Sequence, residues 1–335
     1  MTLANQAVLR IPAFSKGARP AGHGTGPGAA LRAIMQEGAF DSVGGAVKTN
    51  DTRGPERIVC LTEETTETLY LLGEERRIVG VSGFTCRPKE ARLKPKVSAF
   101  TSAKIDKIVE LRPDLVIGFS DLQAKIAHDL IQAGVNVLVF NQRSVEEIFE
   151  MMLMLARVVG AETAGLVLVG RLRGELARIV KSASRFPRRP QVFFEEWNEP
   201  LISGIRWVDE LIELAGGQPV FPELRGEHSA RNRIVDPGAV VTANPETIIA
   251  SWCGRKVNKD QIRGRDGWTA IDAVRFGHVY EVKSTYILQP GPAALTEGVR
   301  QLHAILARVA GCEPLEGLQP VERLDPDLER QVRPA

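Results

Sequence analysis

The feature that most constrains the fold is a long helical stretch near the middle of the chain, with alternating strand and helix patterns on both sides of it. It runs from about residue 144 to about residue 184. Ser144 is followed three residues later by Glu147, which predicts a capping box that satisfies the first free amides of a helix. The run 148–159 is apolar almost all round, so we expect it to be buried on more than one side.

After Gly160 the pattern becomes that of an amphipathic helix, with apolar residues at steps of three and four. About twenty helical residues would form a rod of roughly 30 Å, which is long enough to bridge two lobes. A peripheral helix of one large α/β domain is the alternative interpretation. The apolar positions are Leu166, Val169, Leu172, Leu176, Ile179 and Ala183.

The alternation on either side of this rod predicts the fold class. Short apolar runs are separated by segments of helix length, and this order is typical of parallel sheets. The sequence therefore predicts an α/β protein in which two Rossmann-like lobes with parallel sheets are joined by a long rigid helix. The predicted segments are a flexible N-terminal extension (1–54), an N-terminal lobe (55–143), a connecting helical segment (144–187), a C-terminal lobe (188–311) and a tail (312–335).

Composition argues against several classes of protein. Lys and Arg total 43 against 41 Asp and Glu, and no basic stripe with interleaved aromatic residues occurs, so we expect no nucleic-acid partner. No apolar run is long enough to span a bilayer, which argues against membrane insertion. Residues 1–54 are rich in Gly, Ala and Pro and lack the apolar core of a secretory signal, so the sequence as given predicts a cytoplasmic protein.

Candidate binding residues of the first lobe follow from the rule that ligands of parallel sheets bind beyond the carboxyl ends of the strands. Glu63 has an alternative role in stabilising a helix dipole, and Phe100 has an alternative place in the core. The candidates in this lobe are Glu63, Phe84, Arg87, Phe100 and Ser120.

The second lobe has strands that end in aromatic and polar residues. One predicted strand ends in Glu196 and Trp197, and another ends in Trp252 and Cys253. Because both lobes present such residues at strand ends, we expect a ligand cleft between the lobes. The candidates in this lobe are Glu196, Trp197, Arg206, Trp207, Trp252 and Cys253.

No combination of residues predicts catalysis, so we expect neither an enzyme nor a resident metal. The histidines lack metal-ligand spacing, no GxSxG elbow occurs, and the four cysteines form no CxxC pair. Metal binding by Cys86 and Cys253 with Glu63 or Glu196 is one alternative, although four ligands would have to converge. An enzyme that uses Glu196 with Cys253 is a second alternative.

Three segments resemble one family of binding proteins. Residues 57–73, 104–118 and 207–217 are similar to segments of the proteins that deliver cobalamin and ferric siderophores to ABC importers, and the resemblance covers about residues 55–310. The run Glu195-Glu-Trp-Asn-Glu-Pro, with Pro290-Gly-Pro, looks closest to members labelled cobalamin-binding. The resemblance implies a shallow, aromatic-lined cleft that binds a cobalamin-like corrinoid or other metal chelate, with no covalent cofactor.

The resemblance also implies a role in transport. Its members work with an ABC permease and are normally exported, so it implies a permease as a possible partner and a periplasmic location if the family behaviour holds. Glu90 fits the position at which the first lobe of such proteins docks on the permease, whereas Ile205 and Arg206 stand where the second lobe is expected to carry an acid. A cytosolic sensor or metal-handling protein on the same fold is the alternative function.

Overall fold

The computed structural model describes residues 54–315 of the chain. The predicted N-terminal extension lies outside the described residues except for Gly54, and the predicted tail lies outside them from residue 316 onward. Within residues 54–315, no helix combines the length and the apolar character that a membrane span requires.

The N-terminal lobe is built on a six-stranded sheet. Its strands are β1 (Ile58–Cys60), β2 (Ile78–Ser82), β3 (Lys96–Ala99), β4 (Ser102–Ala103), β5 (Leu115–Phe119) and β6 (Val137–Phe140). Their order is β4-β3-β2-β1-β5-β6, and every neighbouring pair is parallel except β3 and β4. The central strand β1 is buried along its whole length, as expected for an apolar strand inside a parallel sheet. The helices of this lobe are α1 (Glu63–Leu71), α2 (Ile105–Glu110) and α3 (Ala124–Gln132).

Two helices form the connecting segment. They are α4 (Val145–Val158) and α5 (Glu162–Ala183), and they are separated at Gly160, whose φ of 70° lies in the left-handed region that glycine adopts easily. The predicted capping box is confirmed: the Ser144 hydroxyl accepts a hydrogen bond from the Glu147 amide, and the Glu147 carboxylate accepts one from the Ser144 amide. With 22 residues, α5 is roughly 33 Å long.

The long helix α5 joins the two lobes, as predicted. Near its start, an added Cβ on Gly165 would lie 2.4 Å from the Cβ of Ala156, so the missing side chain allows α4 and α5 to pack closely. Near its end, the Ser182 hydroxyl lies 3.0 Å from Nε2 of His303 in the second lobe. The prediction that Leu166 is buried is wrong, because Gly165 and Leu168 occupy the inner face and leave Leu166 exposed.

The C-terminal lobe is built on a five-stranded sheet. Its strands are β7 (Gln191–Asn198), β8 (Leu201–Ser203), β9 (Gln218–Pro219), β10 (Thr247–Ala250) and β11 (Val279–Glu281). Their order is β11-β10-β7-β8, with β9 beside β7, and only the pairing of β7 with β8 is antiparallel within the described residues. The strand predicted to reach Cys253 ends at Ala250, so the next three residues lie beyond the sheet.

Short helices connect these strands, and one long helix closes the lobe. They are α6 (Arg206–Leu214), α7 (Pro237–Ala243), α8 (Lys259–Arg263), α9 (Asp272–Arg275), α10 (Ser284–Ile287) and α11 (Val299–Ala310). The segment predicted to begin a long helix at Ala293 instead starts with a π-helical turn, Ala294–Gly298, before α11. Asp236 caps α7 and Pro237 occupies its first turn, as the sequence predicts.

One hydrophobic core runs through both lobes. It includes Ile58 and Ile117 from the first sheet, Phe194 and Ile249 from the second, and Leu172 from α5. Because the lobes share this core, their relative position is fixed by close packing as well as by the connecting helices.

Candidate functional site

Loops that follow the strands of the two sheets meet where the lobes contact each other. Arg87, from the loop after β2, donates hydrogen bonds to Glu67 on α1 and to Glu297 on the π-helical turn of the other lobe, at 3.0 and 3.1 Å. Its guanidinium also lies 5.4 Å from the ring centroid of Tyr286. Arg87 was a candidate ligand residue, but the structure engages it in ion pairs that hold the lobes together.

Two buried glutamates lie at the start of α1, near the contact between the lobes. Burial raises the pKa of Glu63, whose carboxylate lies 3.4 Å from the Ser82 hydroxyl. Burial also raises the pKa of Glu64 to about 8, while the hydroxyl of Thr62 donates to it at 2.6 Å. The Glu64 side chain lies against Gly291 of the second lobe. Glu63 is therefore held within its own lobe, whereas Glu64 lies in the contact between the lobes.

Two free thiols flank Glu63 from opposite lobes. Burial raises the pKa of Cys86 and of Cys253, and the negative charge of Glu63 raises both further. The negative charge of Glu63 thus acts on one thiol from each lobe. Within residues 54–315, no group of three or more His, Cys, Asp or Glu residues is arranged to hold a metal ion.

Arg143 lies beyond the carboxyl end of β6 at another part of the cleft. Its guanidinium is 5.0 Å from the ring centroid of Phe119 and donates to Asp121 and Asn141. The strand-end rule points to the run 141–143 in the sequence, which includes Arg143, although Arg143 is not among the candidate binding residues. Ser120 itself is buried, and its hydroxyl accepts a hydrogen bond from the Leu122 amide, so it caps the following turn.

Glu196 lies at the end of β7 and is held by a buried arginine. Arg233 donates to both carboxylate oxygens of Glu196, at 2.6 and 3.1 Å, and to the Ser203 carbonyl. Burial raises the pKa of the neighbouring Asp209 to about 7. Arg233 comes from a segment whose sequence predicts only a polar loop, so no local signal identifies it.

The aromatic candidates fall into two groups. Phe84 is 54% exposed, Phe100 is half-buried with its ring 6.5 Å from that of Phe119, and Trp197 is half-buried beneath the guanidinium of Arg255 at 5.4 Å. These three rings remain accessible to a ligand in the cleft.

The expected ligand contacts of Trp207 and Trp252 do not agree with their positions, because both side chains are buried in the core. The indole of Trp207 donates to the Ile287 carbonyl at 2.9 Å, and the indole of Trp252 donates to Glu195 at 3.0 Å. A buried indole needs such an acceptor, and neither acceptor is near in sequence. Both tryptophans therefore belong to the hydrophobic core.

Two further charged candidates lie at the surface. Arg206, in the first turn of α6, forms an ion pair with Glu210 at 2.8 Å, and the same carboxylate accepts a hydrogen bond from the Val145 amide. Arg206 thus helps to connect α6 with the start of α4. Glu90 is exposed on the turn Lys89–Leu93 of the first lobe.

Comparison with known proteins places this architecture in a family. The profile described as "Periplasmic binding protein" matches residues 58–286. A substrate-binding lipoprotein of an ABC transporter in Bacillus subtilis, YvrC, is 28% identical over 74% of this chain and 79% of its own length. The vitamin B12-binding protein of Vibrio parahaemolyticus is 27% identical over 72% of this chain and 86% of its own length.

Solved structures share the fold. The periplasmic vitamin B12-binding protein BtuF of Vibrio cholerae superimposes with a TM-score of 0.62 at 22% identity, over 76% of this chain and 98% of that one. The periplasmic heme-binding protein BhuT superimposes with a TM-score of 0.66 at 22% identity, over the same shares of the two chains. The predicted fold of two α/β lobes joined by a long helix is therefore confirmed, and the chain belongs to the periplasmic binding protein family.

Proposed function

We propose that this protein binds a cobalamin-like corrinoid in the cleft between its lobes and is not an enzyme. The observation that carries the proposal is the exposed ring of Phe84 in a loop that faces the second lobe. Cys86 follows Phe84 in that loop. The negative charge of Glu63 raises the pKa of both Cys86 and Cys253, which belongs to the second lobe. Two residues beyond Cys253, Arg255 covers Trp197. Accessible rings on opposing lobes suit a large flat ligand.

The relatives support this choice of ligand. Proteins named vitamin B12-binding, from Vibrio, and cobalamin-binding, from Halobacterium salinarum, match 71–75% of this chain at 24–27% identity. None of the relatives named here is a sensor by its name, so the alternative of a cytosolic sensor or metal-handling protein gains no support from them. Heme is the competing ligand, because structural neighbours with this fold bind it.

The surroundings of Glu196 and Cys253 argue against the alternative of an enzyme that uses these two residues. Both oxygens of Glu196 accept hydrogen bonds from Arg233, which leaves this carboxylate poorly placed to accept a proton. Burial raises the pKa of Cys253, so its thiol is not activated as a nucleophile at neutral pH. The two groups support ligand binding better than catalysis.

We propose further that the protein delivers its ligand to an ABC permease from outside the cytoplasm. Its relatives include a lipoprotein of an ABC transporter and periplasmic binding proteins. Glu90, exposed on the first lobe, is the proposed contact with the permease. The second lobe presents Arg206 where an acid would be expected, and its pairing with Glu210 offsets that charge locally.

Titration of the purified protein with cyanocobalamin and with hemin, followed by absorbance and by tryptophan fluorescence, tests the ligand. We expect saturable, stoichiometric binding of cyanocobalamin with quenching of Trp197. Phe84→Ala should weaken it by about 10-fold, since one aromatic contact is worth on the order of 1–2 kcal/mol. Leu93→Ala, which truncates an apolar side chain that is 89% exposed on a nearby turn, serves as the control. Binding of hemin without cyanocobalamin would overturn the corrinoid assignment.

A further inference from the structure

We infer that Arg143 forms a subsite for an anionic substituent of the ligand, a carboxylate or a phosphodiester at the edge of a flat metal chelate. The inference rests on the proposed function. It adds the prediction that the part of the ligand next to Arg143 is negatively charged. Three observations support it: the Arg143 guanidinium is buried, its ion-pair partner is exposed to solvent, and it lacks the carboxylate partners that Arg87 and Arg233 have.

The first observation is the position of the Arg143 side chain. It is only 7% exposed and lies over the ring of Phe119 at the carboxyl end of β5. Its Nε is buried, and no acceptor among residues 54–315 lies within hydrogen-bonding distance of it. A buried donor of a charged group without an acceptor is costly, so a ligand that supplies one gains free energy.

The second observation is the charge around Arg143. Its ion pair is with Asp121, whose side chain is 82% exposed, and an exposed partner of this kind compensates a buried charge only weakly. Burial lowers the pKa of Arg143 and so does the positive charge of Arg233, whereas the negative charges of Asp121, Glu147 and Glu196 raise it.

The third observation is the contrast with two other arginines. Arg233 is neutralised by both oxygens of Glu196, and Arg87 by Glu67 and Glu297. Both are committed to carboxylates of the protein. The Arg143 guanidinium lies over a neutral ring and hydrogen-bonds one amide and one solvent-exposed carboxylate, while Glu147 and Glu196 act on its charge without accepting a hydrogen bond from the guanidinium within residues 54–315. It is therefore the arginine of the three best able to bind an anion from the ligand.

These observations select a chemical class of ligand. Guanidinium groups form their strongest contacts with carboxylates and phosphates, whereas a neutral amide leaves the positive charge uncompensated. Cobalamin carries one phosphodiester, and cobinamide lacks it. Heme carries two carboxylates, and its dimethyl ester carries none. Heme and its dimethyl ester differ only in these carboxylates and form the matched pair, whereas cobinamide also lacks the ribose and the base of the nucleotide loop.

The test compares Arg143→Gln with the wild type by calorimetric titration of both ligands in a pair. We expect the affinity for cobalamin to fall by about 10- to 100-fold and the affinity for cobinamide to change by less than about 2-fold, because only the charge-assisted contact is lost. Arg157→Gln removes the same charge from an exposed position on α4 and should leave both affinities unchanged. If heme is the ligand, the same result is expected for heme against its dimethyl ester.

Asp121→Asn provides a second variant that leaves the buried arginine intact. Removal of the exposed carboxylate should strengthen binding of the anionic ligand by about 2- to 5-fold, with no gain for the neutral one. If Arg143→Gln weakened binding of both ligands equally, or of neither, the proposal of an anion subsite would be wrong.

A measurement without any chelate separates this inference from the proposed function. The wild type should melt at a higher temperature in inorganic phosphate than in chloride at equal ionic strength, and Arg143→Gln should lose that increase. If no chelate binds but the Arg143-dependent increase is present, the proposed function fails and the anion subsite stands. If chelates bind without regard to charge and phosphate has no effect, the function stands and the subsite fails.

Discussion

Gly291 of the second lobe lies so close to Glu64 of the first that an added Cβ on the glycine would be 2.4 Å from the Cβ of Glu64. Only glycine therefore fits at this contact without a shift of the neighbouring lobe. Nearby, the Gln142 amide donates to the Pro290 carbonyl at 3.0 Å. The Pro290–Pro292 segment is thus one of the places where the second lobe packs directly on the first.

Gly291→Ala should push the lobes apart. The inserted methyl group meets the backbone and Cβ of Glu64, which cannot move as a flexible side-chain end can, so we expect a loss of about 1–3 kcal/mol in unfolding free energy. Gly170→Ala is the matched control, because an added Cβ there has open space within α5 and should stabilise the helix by about 0.5–1 kcal/mol. Urea denaturation of both variants measures the difference, and equal effects would contradict the packing argument.

Glu64 should make the stability depend on pH. Its pKa is about 8 in the folded protein and 4.5 in the reference state, so the folded protein holds the proton more tightly. This contribution to stability is complete below pH 4.5 and is lost as the pH rises through 8. Glu64→Gln keeps an acceptor for the Thr62 hydroxyl but cannot ionise.

We therefore expect the unfolding free energy of the wild type to fall, relative to that of Glu64→Gln, between pH 5 and pH 8. Urea denaturation at the two pH values measures it. Glu150→Gln, on the exposed face of α4, is the control that should follow the wild type. A constant difference between Glu64→Gln and the wild type across this range would show that Glu64 ionises normally.

Two leucines of α5 test which face of the connecting helix carries stability. Leu172 is 1% exposed and belongs to the core shared by the lobes, whereas Leu166 is 55% exposed. Leu172→Ala should cost about 2–5 kcal/mol, and Leu166→Ala less than about 0.5 kcal/mol. Thermal or urea unfolding compares them. Similar losses would mean that the exposed leucine is packed in solution.

Much of the fold could be predicted because its signals are local. The capping box at Ser144, the glycine at position 160 and the periodicity of α5 involve residues within a few positions of each other. The strands follow from short apolar runs between helices. Leu166 was misassigned because two registers of the same periodic pattern fit the sequence, and only the contact of Gly165 with Ala156 decides between them.

The site was less predictable because its key contacts join distant residues. The buried indole of Trp252 donates a hydrogen bond to Glu195. Glu195 is also paired with Arg265, which is 70 positions away in the sequence. Glu297 meets Arg87 across 210 positions. No local pattern encodes such pairs. Arg143, by contrast, lies at a strand end, and the strand-end rule points to it from the sequence alone.

The two tryptophans at the strand ends of the second lobe should respond differently to truncation. Trp197 is half-buried at the cleft, so Trp197→Ala should weaken binding of cyanocobalamin by about 10-fold while changing the unfolding free energy by less than about 1 kcal/mol. Trp252 is 2% exposed and fills the core, so Trp252→Ala should cost about 3–5 kcal/mol of stability and leave Glu195 without its indole donor. Parallel titrations and urea denaturation separate the two effects. A stable Trp252→Ala protein with a selective loss of binding would place this ring in the cleft after all.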